Sequence, residues 1–249
     1  MVYYAANDKN NPVIVPDDAK PIGEGNEGKV YNIGGVAVKI INSTSWMDEY
    51  KLDYLSSLVS PKLILMPIQG IYDENGNYSG YIMKLLDCVK GEDAELNLMH
   101  CDDLIQSIKF IKSDAKLLSE QKVAMKDTKL RNAVINNRTN LINMIDPDRY
   151  LTPYSFNCHF TEIEEFKKEN DYWVNKLFES LFKRMIDQSA DGFNNRKFRF
   201  YMREEIESVI DRGHVPEFIA GEVNGFDTVQ DYMDHKHQYV KSKGLLNRF

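Results

Sequence analysis

The sequence predicts an α+β chain, a strand-rich beginning with one helix and then a mainly helical remainder. Three observations predict it. Gly23, Gly25, Gly28 and Val30 fit G-x-G-x-x-G-x-V, and two β-rich runs continue from there around a Gly34-Gly35 turn, which makes a hairpin. Two further apolar runs, 63–68 and 78–83, flank Asp73-Glu-Asn-Gly-Asn77, and an Asn-Gly pair so placed is a strong hairpin signal. Beyond them Leu104, Ile108, Ile111, Ala115 and Leu118 recur at spacings of 4, 3, 4 and 3, one continuous helical face.

Taken in order, residues 1–12 are polar and turn-rich and read as a frayed lead-in, with a short strand candidate at 13–15. In the glycine segment the missing side chains let a strand-turn-strand backbone approach a phosphate with its amides; the same glycines also suit a plain hairpin. A dinucleotide-binding loop is disfavoured, because strands rather than a helix follow it. Lys39 stands between Val38 and Ile40, so strand alternation puts it on one face alone. Ser43-Thr-Ser45 offers caps for a helix over 46–58, where Leu52, Leu55 and Val59 keep helical spacing. Asp102 and Asp103 offer caps for the helix of 104–118. A further helix over 170–182 carries a stripe of Trp173, Leu177, Leu181 and Met185, which is core packing. Residues 187–249 read as several helices with turns near Gly192, Gly213 and Gly221 to Gly225. Arg196, Lys197, Arg199 and Arg203 form a solvated face rather than a binding patch. His235 and His237 diverge on a helix and make no metal pair.

Bulk properties narrow the function. The 249 residues allow two lobes sharing a hinge, or one large domain. A net charge of -7 and a pI near 5.3 disfavour a nucleic-acid partner. The three cysteines have no C-x-x-C spacing, which fits reduced thiols in a cytoplasmic setting. No basic segment followed by an apolar core opens the chain, so no signal peptide is expected. No apolar run approaches ~18 residues, so no membrane span is expected.

The chemistry concentrates in 123–136 and 141–148. Asp127, Asn132 and Asp146 are oxygen acceptors suited to a hard cation or to a substrate proton. Lys129 lies two residues after Asp127, Asn132 five after it, and Asp146 ends an apolar run 19 after it.

This succession resembles the catalytic loop and metal-binding motif of protein kinases, H-R-D-x-x-x-x-N followed by D-F-G. The glycine segment, Val36-Ala-Val-Lys39 and Asp171-Tyr-Trp173 resemble the family's glycine loop, V-A-I-K strand and D-x-W-S helix, so the likeness spans roughly residues 20–186. The resemblance implies a bilobal fold, with a small antiparallel-sheet N-lobe at 1–84, a hinge at 85–91 and a helical C-lobe at 92–249. It implies an ATP- and Mg²⁺-dependent kinase acting on Ser/Thr hydroxyls of a protein. By it, Asp127 orients the attacking hydroxyl, Lys129 steadies the γ-phosphate, and Asn132 and Asp146 hold Mg²⁺. Gly23, Gly25, Gly28 and Val30 cover the nucleotide, Lys39 meets its phosphates, Met83 is the gatekeeper, and the backbones of Lys84 and Leu86 meet the adenine. Glu49 is the partner assigned to Lys39, with Asp48 as competitor. Asp171 braces the catalytic loop; otherwise it is an ordinary N-cap.

The departures bear on function. Met125 and Lys126 replace His-Arg, which puts activation-loop regulation through that arginine in doubt. Asp146-Pro-Asp148 replaces D-F-G, and Pro147 biases Asp146 toward an extended backbone. Asp148 either joins the metal or lies at the surface. With Asp171 only 25 positions after Asp146 and no A-P-E, the activation segment is short. Two alternatives follow: a small-molecule kinase of the aminoglycoside or choline type, whose I-D-F-E-Y is similar to Ile145-Asp-Pro-Asp-Arg-Tyr150, and a pseudokinase scaffold.

Overall fold

The computed structural model describes residues 1–6, 8–193, 196–210 and 212–248. The chain is α+β. Its first part is a seven-stranded antiparallel sheet built from β1 (Val2–Ala5), β2 (Pro12–Ile14), β3 (Gly23–Gly25), β4 (Gly28–Ile33), β5 (Val36–Ile41), β6 (Pro67–Tyr72) and β7 (Tyr78–Lys84). They lie in the order β2-β1-β6-β7-β5-β4-β3. About five strands were expected; the other two come from the chain start. The lead-in is no frayed segment, because Ala5 and Val13 are buried with Val38, Ile71 and Ile82 on the outer face of the sheet.

The two faces follow from strand alternation. Ala37 stands opposite Met83 and Lys39 opposite Tyr81, and Ala37, Tyr81 and Met83 join the core shared with the rest of the chain. Helix α1 (Glu49–Ser57) covers that inner face. Gly70 of β6 permits the approach, since a Cβ there would lie 2.8 Å from Leu52 Cδ2. The helix begins later than residue 46, because the side chain of Asp48 accepts from Lys51 N at 2.8 Å and supplies the N-cap. Ser45 is engaged elsewhere.

The second part holds a small antiparallel sheet of β8 (Cys88–Lys90), β9 (Ala133–Asn136) and β10 (Ile142–Met144), in the order β10-β9-β8. Around it stand α2 (Cys101–Glu120), α3 (Ile163–Phe193), α4 (Arg196–Ile210), α5 (Val215–Val223) and α6 (Val229–Ser242). All five apolar positions predicted for α2 are buried, as are Leu177, Leu181 and Met185 of α3. Gly213 and Gly225 take positive φ at turns, whereas Gly192 and Gly221 lie inside helices. Arg203 pairs with Asp187 at 2.8 Å, and His235 and His237 stack on different rings, Phe226 and Phe198. No helix among the described residues is long and apolar enough to cross a membrane.

The two parts are joined tightly beside the 141–148 stretch. Buried Asp114 of α2 accepts from Lys62 N at 3.0 Å and Leu63 N at 2.7 Å. Leu65 N donates to Met144 O and Met144 N to Leu63 O, so the segment before β6 runs alongside β10. Residues 85–87 link β7 to β8 between the two sheets.

Candidate functional site

The glycine segment is the β3–β4 hairpin, with Gly25 opposite Gly28 and Asn26-Glu27 at its tip. Gly28 has φ +153°, and a Cβ there would sit 2.1 Å from Ile40 O, so the neighbouring strand itself demands this glycine. Gly25 has open space around it. The tip folds inward. Glu27 is 8% exposed, and its Oε1 accepts from Arg149 Nε at 2.8 Å while its Oε2 is buried without a partner. Burial raises the Glu27 pKa, and Arg149 offsets part of the rise.

Beneath the hairpin Lys39 is buried, and its Nζ meets Asp146 and, at 2.9 Å, Asp148. Burial works to lower its pKa, but Asp148 and Asp146 outweigh it and hold the ammonium above its ordinary value. Glu49 is not its partner. Glu49 Oε1 accepts from Tyr72 OH at 2.8 Å, and Asp48 caps α1, so neither carboxylate proposed from the helix reaches Lys39. What α1 sends toward this turn is a cation. Lys51, 2% exposed, donates to the carbonyl of Asp148 and to Trp46 O at 3.3 Å; burial pulls its pKa to about 8 against the nearby carboxylates.

The 123–136 stretch forms a bent loop. Asp127 has φ +56°, a left-handed conformation that Asp tolerates, and its carbonyl accepts from Lys129 N and Asn132 Nδ2, both at 2.9 Å. Its carboxylate lies 2.5 Å from Lys129 Nζ, 2.7 Å from Arg131 Nη2 and 4.0 Å from Arg149 Nε. Burial opposes ionisation here, yet Lys129 and Arg131 prevail and depress the pKa. Ile145 N donates to Asn132 O at 2.9 Å, which sets Asn132 beside the Asp146 turn.

Asp146 has φ +66° and ψ +70°, so the expected extended bias is corrected. A following proline excludes the right-handed region for its predecessor, and here the left-handed alternative is taken, with Pro147 opening a short 3₁₀ turn. Burial raises the Asp146 pKa, Lys39 opposes the rise, and Asp148 adds to it. Asp148 is fully buried rather than at the surface, bonded by Lys39, by Tyr81 OH and, at 3.1 Å, by Ser45 Oγ.

The brace under the loop is Asn170, one residue before the expected Asp171. Buried Asn170 accepts from Met125 N at 2.6 Å and donates to Val123 O at 2.8 Å and Ser119 Oγ at 2.9 Å. Asp171 is exposed and mid-helix, so it is neither the brace nor an N-cap. Asn170 carried no motif signal; the residue before a D-x-W match was the place to look. Thr128 Oγ1 donates to Trp173 O at 2.9 Å, and Lys126 pairs with Glu169. Leu151 exchanges backbone bonds with Ala124 at 2.8 and 2.9 Å, folding the short segment after Asp146 back under the loop.

Val30, Ala37 and Met83 pack into the shared core, with Met83 buried near the end of β7. Lys84 is exposed as the last residue of β7, and Leu86 is half-buried in the linker. A cavity of about 350 Å³ opens beside Thr128 and Lys129 along α3, lined also by Trp173, Lys176 and Lys183.

The chain is structurally similar to the kinase domain of PknI from Mycobacterium tuberculosis, at 11% identity and a TM-score of 0.49, over 68% of this chain and 75% of that one. No family model and no curated protein sequence matches the chain.

Proposed function

We propose that this chain is an ATP- and Mg²⁺-dependent phosphotransferase whose acceptor is a Ser/Thr hydroxyl of a protein. One observation carries the reading. Lys39 and Asp146, 107 residues apart in sequence, are ion-paired at a turn hydrogen-bonded to the loop bearing Asp127, Lys129 and Asn132. The lobes would be 1–84 and 92–249, with nucleotide between them and 85–91 as the hinge.

The donor set suits Mg²⁺: one amide oxygen from Asn132 and one carboxylate from Asp146, hard ligands in the number this ion takes from protein when phosphates and water complete it. When bound, the ion supplies neutralisation of charge on the phosphates. The protein's own groups do the rest. Lys39 anchors phosphate oxygens, and the β3–β4 hairpin covers them. Met83 sits behind the adenine, with Lys84 and Leu86 offering backbone groups to it. Lys129 steadies the transferred group, and Asp127 orients the acceptor hydroxyl and takes its proton. Against burial, Lys129 and Arg131 depress the Asp127 pKa, so the carboxylate is ionised at neutral pH and can accept a hydrogen bond from the hydroxyl it orients. Unpaired cysteines at Cys88, Cys101 and Cys158 fit a cytoplasmic setting.

The short segment after Asp146 favours a small-molecule acceptor as a second reading. Within it, Lys129, Arg131 and Arg149 around Asp127 oppose a cationic acceptor such as an aminoglycoside or choline. The experiment is transfer of labelled γ-phosphate from Mg-ATP, wild type beside Asp127→Ala. The acceptors are the protein itself, a protein mixture, and a panel of neutral and anionic alcohols. Label moving with wild type alone is expected, and its destination selects the acceptor class. Nucleotide binding without transfer to any acceptor would replace this reading with that of a pseudokinase scaffold.

A further inference from the structure

We propose that Asp148 is the fixed anchor of Lys39, and that Lys51 ties helix α1 to the same turn, so that the helix contributes a cation where a carboxylate was expected. The inference deepens the phosphotransferase reading, because it takes Lys39 as the phosphate ligand.

Two carboxylates meet Lys39, and they differ in what else can reach them. The Asp146 side chain is 37% exposed, on a left-handed backbone, with Lys39 as its hydrogen-bond donor. The Asp148 side chain is 0% exposed and already holds Tyr81 OH and Ser45 Oγ besides Lys39. A cation entering the site can draw Asp146 away from Lys39. It cannot reach Asp148 without dismantling three buried interactions. Asp148 therefore keeps Lys39 paired and aimed while Asp146 is engaged, and spares the chain a buried ammonium with no counter-charge.

Helix α1 and the segment just ahead of it each bind the same residue. Ser45 Oγ, which also accepts from Met47 N at 3.2 Å just ahead of the helix, donates to the Asp148 side chain. Lys51 Nζ donates to the Asp148 carbonyl. Meanwhile Glu49 points to Tyr72 of β6. Helix position, lysine orientation and metal turn thus converge on one aspartate, and Asp148 is a positioning residue for Lys39.

The test uses the full chain with Asp148→Asn, Lys51→Met, the milder Ser45→Ala, and the double variant Lys51→Glu/Asp148→Asn. Two readouts are followed. One is amide hydrogen exchange across residues 49–57 in the ligand-free protein. The other is affinity for ADP without and with Mg²⁺. Asp148→Asn is expected to weaken ADP about tenfold or more, even without Mg²⁺, by leaving Lys39 with one mobile partner. Lys51→Met and Ser45→Ala are expected to speed exchange in α1 without changing it in α2. The double variant, which returns a carboxylate at the helix residue that meets the same aspartate as Lys39, is expected to recover most of the lost ADP affinity; a merely structural role for Asp148 predicts no such recovery. Wild-type ADP affinity in Asp148→Asn, or unchanged α1 exchange in both Lys51→Met and Ser45→Ala, overturns the proposal. Should Asp148→Asn not fold, the exchange in Lys51→Met and Ser45→Ala decides. If wild type itself binds no ADP, the phosphotransferase reading fails separately, and the exchange arm still decides whether α1 hangs on this turn.

Discussion

Replacing Asn170 by alanine isolates the support under the loop that bears Asp127. The side chain accepts from Met125 N at 2.6 Å and donates to Val123 O at 2.8 Å, Ser119 Oγ at 2.9 Å and Ala115 O at 3.2 Å. Net, each well-formed bond contributes about 1 kcal/mol, and a buried donor left unmet costs about 1–3 kcal/mol. The three short bonds therefore set the loss at about 3 kcal/mol, which for a chain of this size lowers Tm by about 6–12 °C. Asn170→Asp should also destabilise, since a carboxylate keeps the acceptor for Met125 N but faces the Val123 and Ala115 carbonyls without a proton to donate. Asp171→Ala, exposed and mid-helix, should stay within about 0.5 kcal/mol of wild type. Urea unfolding followed by tryptophan fluorescence measures all three, because Trp173 lies on the same helix. A loss below about 0.5 kcal/mol in Asn170→Ala, or an equal loss in Asp171→Ala, would refute the assignment of the brace.

Other outcomes follow from the same geometry. Asp127→Asn should cut phosphate transfer about 10²–10⁴-fold while nucleotide affinity stays within a few-fold; equal transfer rates would remove Asp127 from the chemistry. Asp146→Ala should abolish the Mg²⁺ dependence of nucleotide binding, and titration calorimetry with and without Mg²⁺ would expose an unchanged dependence. Gly28→Ala should lower Tm through the 2.1 Å approach to Ile40 O, whereas Gly25→Ala, with open space, should leave Tm unchanged; a nucleotide-affinity loss in the latter then reports on the ligand and not on the fold. Glu27→Gln should loosen the hairpin tip from Arg149 and speed nucleotide entry, seen in stopped-flow binding; an unchanged entry rate would refute a closing role for that bridge.

Local rules carried a large part of the fold and the order of the site. Alternation placed Lys39 on one face of its strand, the Asn-Gly turn placed the β6–β7 hairpin, and 3–4 spacing placed α2, because each signal is read within a few residues. The strand at 2–5 escaped this logic: its short, polar-flanked run acquires meaning when its buried Ala5 lies opposite Ile71 and joins a cluster that includes Val38 and Ile82 from distant strands. The partners of Lys39 escaped it too. Motif spacing pointed to a helix carboxylate, but side-chain direction on α1 and the left-handed turn at Asp146 decide which acid arrives, and both depend on packing between segments about a hundred residues apart. The Asn170 brace shows the same division, since a one-residue shift along a helix turns the side chain by about 100° and exchanges solvent for the loop. Sequence alone determined which residue types were available and in what order; the tertiary structure decided which of them face one another, because burial and hydrogen-bond geometry are properties of pairs rather than of positions.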